Sequence, residues 1–260
     1  MTTTSLPART LPRFGGFNLG MVKLELRRML RNRRTVVFTF IMPAVFFLLF
    51  GVNDNYRSER AGAGNVTGYI MVSMAVYGAM LATTSGGAMV SVERAAGWSR
   101  QLRLTPLKPV AYIAVKLVLA MIIGLASVAV TFVVGSLAGA DLPVHAWIEC
   151  GLLSWICALV FAAFGLFMGY LLPSENVMQI LGPVLGILSF AGGLFAPLDT
   201  FGHTFATIAK FTPVYGVGEL ARYPLTHDGN LWLAALNVVV WTTLFGAGAI
   251  WRFRRDTARV

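Results

Sequence analysis

A charged segment between two long apolar runs is the part of this sequence best suited to recognising a partner. Residues 92–107 read VERAAGWSRQLRLTPL, with mainly apolar stretches on both sides. Trp98 precedes Leu102 by four residues, as on one helix face, and Pro106 cannot continue a helix. The pattern predicts a short amphipathic helix held at a membrane surface between two spans. A solvated loop whose charges only set topology is the alternative.

Signatures of enzyme chemistry are missing from the sequence. None of the four lysines follows a glycine, whereas a Walker A loop needs a Gly-Lys pair at the ATP phosphates. The histidines, His145, His203 and His227, have no cysteine or carboxylate at metal-ligand spacing. We therefore predict that the chain is not an enzyme, with no catalytic residue, no metal site and no cofactor of its own.

The composition indicates a membrane protein. Of 260 residues, 57% are hydrophobic and 12% are charged, whereas soluble domains carry roughly 25% charged residues. A helical span needs about 20 apolar residues. We interpret six apolar runs as spans: residues 36–52, 66–90, 110–137, 147–172, 177–195 and 231–250.

The basic residues predict the orientation of these spans. With both termini in the cytoplasm, the cytoplasmic segments hold sixteen Lys and Arg and the external segments hold four. This asymmetry follows the positive-inside rule and accounts for the net charge of +10 without a nucleic-acid partner. Lys116 falls inside the third span, and we expect it to snorkel towards the cytoplasmic headgroups.

The chain before the first span divides into two parts. Residues 1–17 are rich in Thr, Pro and Arg and predict a disordered cytoplasmic tail. Residues 18–34 predict an amphipathic interfacial helix with Leu19, Val22, Leu26 and Met29 on its apolar face. The basic residues assigned to lipid headgroups are Lys23, Arg27, Arg28 and Arg31. The same charges also serve as the positive flank of the first span.

Two features of the spans concern helix packing. Pro43 interrupts the first span, which membrane helices tolerate where neighbouring helices or Ser and Thr side chains satisfy the freed carbonyl. The second half of span two reads TTSGGAMVS, and its small residues predict a face for close helix packing. A surface that lines a cargo path is the alternative for that face.

The segment between spans five and six is moderately apolar but too interrupted to span. We interpret residues 196–230 as two short helices that dip into the membrane from outside. Thr212 and Pro213 suit the cap and first position of the second helix. Glu219 and Arg222 are three residues apart and could pair on it.

Two motifs together resemble the ABC-2 family, the membrane permeases of ATP-driven exporters. The first resembles E-R-x-x-G-…-L-x-x-T-P and consists of Glu93, Arg94, Gly97, Leu102, Thr105 and Pro106. The second resembles S-G-x-x-x-P-…-P-x-x-x-…-[DE]-x-x-R and consists of Gly193, Pro197, Pro213, Glu219 and Arg222. Gly192 stands where the family commonly has Ser, and Ala95-Ala96 replaces the usual acidic and polar pair.

The resemblance implies an all-α membrane protein with six transmembrane helices. It adds an N-terminal interfacial amphipathic helix, a cytoplasmic coupling helix between spans two and three, and a re-entrant outer segment between spans five and six. The six-span domain would cover residues 35–251, followed by a cytoplasmic C-terminal tail at residues 252–260. In this family the coupling helix docks on a separate ATPase subunit.

Roles for the first motif follow from the resemblance. Trp98 and Leu102 would be apolar anchors in the ATPase, and Gly97 would allow close backbone approach. Glu93 and Arg94 would either pair with charges at the rim of the ATPase groove or brace the ends of spans two and three. ATP and Mg²⁺ would bind to the partner subunit.

The implied function is the permease subunit of an exporter in a bacterial cell membrane. Two permease chains, identical or different, would pair with two ATPase subunits and move an amphipathic drug or lipid outwards. A membrane scaffold or regulatory subunit without transport of its own is the alternative. A small ion-coupled carrier is disfavoured, because the middles of the spans lack carboxylates.

Overall fold

The computed structural model of the protein describes residues 19–97 and 109–258, and this part of the chain is almost entirely helical. Its α-helices are α1 (Leu19–Arg31), α2 (Arg33–Val36), α3 (Met42–Gly51), α4 (Asp54–Ser58), α5 (Val66–Ala95), α6 (Pro109–Leu137), α7 (Val144–Cys157), α8 (Leu159–Leu171), α9 (Ser174–Ala191), α10 (His203–Ala209), α11 (Pro213–Thr226) and α12 (Leu231–Ala258). A π-helical turn, Val37–Ile41, joins α2 to α3, and a 3-10 helix covers Leu198–Phe201. Two short strands, β1 (Arg60–Ala61) and β2 (Gly64–Asn65), pair antiparallel.

Four helical segments are long and apolar enough to cross a membrane: Val66–Ala95, Ala111–Leu137, Val144–Leu171 and Leu231–Arg255. They correspond to the predicted second, third, fourth and sixth spans. The predicted first span is a shorter apolar helix, Val37–Gly51. The predicted fifth span is the helix α9, which contains Pro183. The prediction of an all-α membrane protein is thus confirmed.

The fourth predicted span differs from a single continuous helix. The helix is interrupted at Ala158, which is both the C-cap of α7 and the N-cap of α8 and has a ψ of −9°. The two pieces follow one another closely enough to form one candidate span.

Helix α5 lies at the centre of the molecule. In the most apolar stretch of α5, 78% of the residues are buried, whereas in the corresponding stretch of α12 only 17% of the residues are buried. Glycines bring the backbones of α5 and α8 together, since a Cβ on Gly87 would lie 2.6 Å from the nitrogen of Leu166 and one on Gly165 would lie 2.2 Å from the oxygen of Thr84. The small-residue half of this helix is therefore a packing face, as predicted.

The proline in the first predicted span is accommodated by a neighbouring helix. Pro43 has no N–H to donate to the carbonyl of Thr39, four residues earlier. The hydroxyl of Ser127 on α6 donates to that carbonyl at 2.6 Å. The expectation that a Ser or Thr would satisfy the freed carbonyl is confirmed.

Asn65 joins three segments at the end of the molecule where α5 begins. Its Oδ1 accepts from the backbone N–H of Gly68 at 2.8 Å and of Asp141 at 3.0 Å. Its Nδ2 donates to the carbonyls of Arg57 at 3.2 Å and Gly139 at 2.9 Å. Asn65 itself is 3% exposed, and its bond to Gly68 is buried, whereas the other three bonds are part-buried. Asn65 therefore caps α5 and fastens the α6–α7 loop to it.

We expect Asn65→Ala to lower the free energy of unfolding by roughly 2–4 kcal/mol, because four backbone groups, one in a buried bond and three in part-buried bonds, lose their partner. The control is Asn53→Ala, which removes an exposed cap whose side chain accepts only from Asn55. Thermal unfolding of the purified proteins in detergent compares the two variants. Equal melting temperatures for them would contradict this role of Asn65.

Candidate functional site

A buried cluster of charged side chains joins three helices at the end of α5. Glu93 on α5 and Lys116 on α6 are 4% and 3% exposed. The Lys116 Nζ lies 2.5 Å from Glu93 Oε1 and 3.0 Å from Glu25 Oε2 on α1. The hydroxyl of Tyr112, one turn before Lys116, donates to Glu93 Oε2. We call these four residues the inner cluster.

Arg28 extends the inner cluster to the surface. Its Nη1 lies 3.7 Å from Glu25 Oε1 and 3.8 Å from Glu93 Oε1. The Arg28 side chain is 59% exposed, so this contact is strongly screened by water. The inner cluster together with Arg28 thus sets two carboxylates against one buried ammonium and one exposed guanidinium.

The expectation that Lys116 snorkels to the headgroups is wrong. Its ammonium is buried inside the helix bundle, where two carboxylates replace water as its partners. The Lys116 Nζ also lies 5.4 Å from the centre of the Tyr112 ring. Burial of a charge is costly unless it is paired and hydrogen-bonded. Removing any one partner would therefore leave an uncompensated charge.

Arg94 makes a separate connection from α5 to α8. Its Nη1 donates to the carbonyls of Gly169 and Tyr170, at 3.2 and 3.1 Å, and its guanidinium lies 5.5 Å from the centre of the Tyr170 ring. These carbonyls are in the last turn of α8, where helix carbonyls lack helical partners and a cation is favourable. Glu93 thus connects the ends of spans two and three, as in the predicted bracing arrangement, whereas Arg94 connects span two to span four instead.

Gly97 ends α5. Its φ is +75°, and its N–H donates to the carbonyl of Arg94 at 3.0 Å. A glycine just past a helix end adopts this left-handed conformation without steric cost. A Cβ on Gly97 would meet nothing within 4 Å among the described residues. The remaining residues of the first motif, Trp98, Leu102, Thr105 and Pro106, lie outside the described residues.

Helix α1 packs on the bundle through one face and exposes the other. Val22 and Met29 are buried in an apolar cluster with Val115 and Leu119 of α6. Leu19, predicted on the same face, is 76% exposed. The four predicted headgroup residues are all exposed: Lys23, Arg27, Arg28 and Arg31. Glu25 ties the buried side of α1 to the inner cluster.

A second buried cation, Arg222, organises the other motif. It is 4% exposed, and its Nη1 donates to the carbonyl of Gly193 at 2.9 Å and to the hydroxyl of Ser73 at 3.2 Å. Its Nη2 lies 3.0 Å from Glu219 Oε1, and its guanidinium lies 5.0 Å from the Tyr69 ring centre. We call these five residues the outer cluster. The predicted Glu219–Arg222 pair is confirmed.

The other residues of the second motif shape the backbone around Arg222. Gly193 has a φ of +75°, and a Cβ there would lie 2.7 Å from Leu198 Cγ. Pro197 is exposed and precedes the 3-10 helix. Pro213 begins α11, and the Thr212 hydroxyl accepts from the N–H of Tyr215 at 3.3 Å, which confirms the predicted cap.

Sequence reasoning missed several members of both clusters. Glu25, Tyr112 and Ser73 were not singled out, and Lys116 was assigned to the headgroups. Two signals were available: Glu25 is the one acidic residue in a basic helix, and Tyr112 and Lys116 are four apart on one helix face. Ser73 has no such signal, because small polar residues are common along α5.

The clusters suit a mechanical role better than a catalytic one. Within residues 19–97 and 109–258, no group of three His, Cys, Asp or Glu side chains could hold a metal ion. The inner cluster joins α1, α5 and α6, and the outer cluster joins α5, α11 and the turn after α9. Such contacts can pass a displacement of one helix to its neighbours.

We expect Lys116→Met to destabilise the protein by about 3–5 kcal/mol, because the carboxylates of Glu25 and Glu93 lose their buried partner. Lys23→Met is the control, since Lys23 is exposed on α1. The double variant Lys116→Met/Glu93→Gln should recover part of the loss by removing one unpaired charge. Melting temperatures of the purified variants measure this, and a Lys116→Met protein as stable as Lys23→Met would disprove the pairing.

Comparison with known proteins agrees with the motifs. Residues 19–225 match the family described as ABC-2 type transporter. The chain is also 30% identical over 226 residues to a protein of Bacillus subtilis (strain 168) named "Putative transport permease YvfS". That alignment covers 85% of this chain and 90% of the relative. The chain therefore belongs to the ABC-2 type transporter family and is a multi-pass transport permease.

Proposed function

We propose that this permease is the membrane subunit of an ATP-driven exporter that moves an amphipathic small molecule or a lipid out of a bacterial cell. ATP and Mg²⁺ bind to a separate ATPase subunit at the cytoplasmic face, and two permease chains pair with two ATPase subunits. The observation that carries this proposal is the inner cluster, which lies at the end of α5 next to the segment proposed to dock on the ATPase.

The contacts of Glu93 and Arg94 provide a route for force from the ATPase. Both residues lie within five positions of Gly97, where α5 ends and the proposed coupling segment begins. A displacement of that segment would act on α6 and α1 through Glu93, and on α8 through Arg94. The buried Glu93–Lys116 pair resists separation, because either partner alone would be an unpaired buried charge.

The distribution of acidic residues supports an energy source outside the chain. Glu93 is the one buried acidic side chain among those that the structure describes, and it lies near the end of its helix. Glu149 is exposed in the first half of α7, and Glu175 is in the first turn of α9. Proton- and sodium-coupled carriers place such residues in mid-membrane. A partner ATPase supplies the energy in our proposal.

The proposed topology has six spans, with α3 and α9 crossing the membrane beside the four longer segments. Its orientation follows from the basic residues and places the N- and C-termini in the cytoplasm. The inner cluster is then on the cytoplasmic side, and the outer cluster is near the external side. In this proposal the cargo, as an amphipathic molecule, enters from the inner leaflet.

Impermeant labelling of single tags in whole cells tests this topology. Tags at Arg60, His145 and Asp228 should react from outside, and tags at Trp98 and Val260 should react only after permeabilisation. The sixteen to four distribution of basic residues gives the physical reason. External labelling at Trp98 would place the coupling segment on the wrong face and refute the proposal.

Assembly with an ATPase tests the proposed docking element. Leu102→Asp should release the ATPase, because a carboxylate in an apolar groove without a partner costs several kcal/mol, roughly 3–5. Leu137→Asp is the matched control, since Leu137 is 84% exposed at the far end of α6. Co-purification from membranes measures the complex.

Survival of the Leu102→Asp complex at parental yield would show that residues 98–106 do not dock on the ATPase. A chain that binds an ATPase but never stimulates it, and exports nothing, would instead support the scaffold alternative.

A further inference from the structure

The turn between α10 and α11 is irregular backbone held by side chains of α12. The amide of Asn237 donates to the carbonyls of Lys210 at 2.8 Å and Thr212 at 3.1 Å. The indole N–H of Trp241 donates to the carbonyl of Phe211 at 3.0 Å. Three consecutive carbonyls are thus satisfied by one neighbouring helix. Irregular backbone requires such partners where water is absent, so the turn is equipped to lie within a membrane.

Two exposed tryptophans near the ends of α12 indicate the depth of this turn. Trp232 is 78% exposed and Trp251 is 53% exposed. Nineteen residues separate them, about 28 Å along a helix, which matches a hydrocarbon core of about 30 Å. Tryptophans commonly mark the two membrane interfaces. Asn237 and Trp241 then lie about 8 and 14 Å inside the level of Trp232.

Lys210 lies in this turn, on an exposed part of the molecule that would face lipid in the proposed topology. Its side chain is exposed, and it pairs with no carboxylate in the described part of the chain. Ile208 and Phe211 beside it are 62% and 74% exposed. The adjoining helix α12 is the least buried of the four candidate spans. A cation at this depth without an anion is costly, and intramembrane charges commonly mark functional sites.

We propose that Lys210 binds the headgroup of an anionic phospholipid in the outer leaflet. Because a lysine side chain is long and flexible, the Lys210 ammonium can extend from the turn towards the lipid phosphates at the external membrane surface. The apolar side chains of Ile208 and Phe211 lie against the acyl chains. One cation between apolar neighbours complements an anionic amphiphile in both charge and polarity. Asn237 and Trp241 act as positioning residues that hold the turn at this depth.

The inference rests on the proposed orientation, in which the Leu231 end of α12 is external. Its test does not depend on transport, because lipid capture is measured on the purified full-length chain. The topology labels at Asp228 and Val260 test orientation by themselves. A failure of lipid binding is therefore distinguishable from a failure of the proposed exporter function.

The experiment uses a photo-reactive residue in place of Phe211, in vesicles of phosphatidylcholine with phosphatidylglycerol as the anionic lipid. Mass spectrometry of the irradiated protein counts adducts of each lipid. Adducts of phosphatidylglycerol should exceed its share of the vesicle by about fivefold, as expected for one basic side chain at an anionic membrane surface. Lys210→Gln should abolish the preference, and Lys210→Arg should retain it.

Position Val239 provides the control for the probe. It is 60% exposed on α12, and a photo-reactive residue there should capture both lipids in proportion to their abundance. An equal capture of the two lipids at position 211, or an undiminished preference in Lys210→Gln, would overturn the proposal. Asn237→Leu is a second test variant. Loss of the two hydrogen bonds from Asn237 to the turn should reduce the preference for phosphatidylglycerol, although Lys210 itself remains.

Discussion

The structure depends on two buried cations, Lys116 and Arg222, which contact helix α5 at two positions along its length. Helix α5 carries Glu93 near one end and Ser73 near the other, and each contacts a buried cation from another helix. Twenty residues separate the two positions, about 30 Å along the helix. Neither Lys116 nor Arg222 can leave its partners without becoming an unpaired charge in an apolar bundle. The packing around α5 is therefore fixed at both levels.

The small residues of α5 complete this constraint. Between the two clusters, glycines let α5 contact α6 and α8 at backbone distance. A Cβ on Gly86 would lie 2.9 Å from the Cα of Ala120 on α6, and one on Gly87 would lie 2.6 Å from the nitrogen of Leu166 on α8. Close backbone contact over this length leaves little room for α5 to bend independently of its neighbours. A displacement at the Glu93 end would tend to move the whole helix, including the contacts of Ser73 with Arg222. We propose that motion driven by the ATPase reaches the external side in this way.

Much of the fold was predictable from sequence because the membrane imposes simple rules. Span length, small-residue packing and the satisfaction of the Thr39 carbonyl each follow from the absence of water around the backbone. The Glu219–Arg222 pair was predictable because its members are three residues apart on one helix. Local spacing and solvent exclusion were sufficient in these cases.

The inner cluster was harder to predict because its partners are far apart in sequence. Glu25 and Lys116 are separated by 91 positions, and nothing in either local sequence specifies the contact. Lysines near the end of a span usually reach for the headgroups, and that rule gave the wrong environment for Lys116. The hydrogen bonds of Asn237 and Trp241 to the α10–α11 turn have the same origin. Tertiary packing decides such contacts.

The central claim is that Glu93 carries motion from the ATPase to the external side. A cysteine at His203, which is exposed at the start of α10, reports on the outer segment, since the natural Cys150 and Cys157 are buried. The measurement is the rate of its labelling by an impermeant thiol reagent, with and without ATP, in vesicles that contain the permease and its ATPase. The account predicts an ATP-dependent rate in the parental complex. It also predicts that Glu93→Gln removes this dependence while ATP hydrolysis continues. A full ATP-dependent change in the Glu93→Gln complex would contradict it.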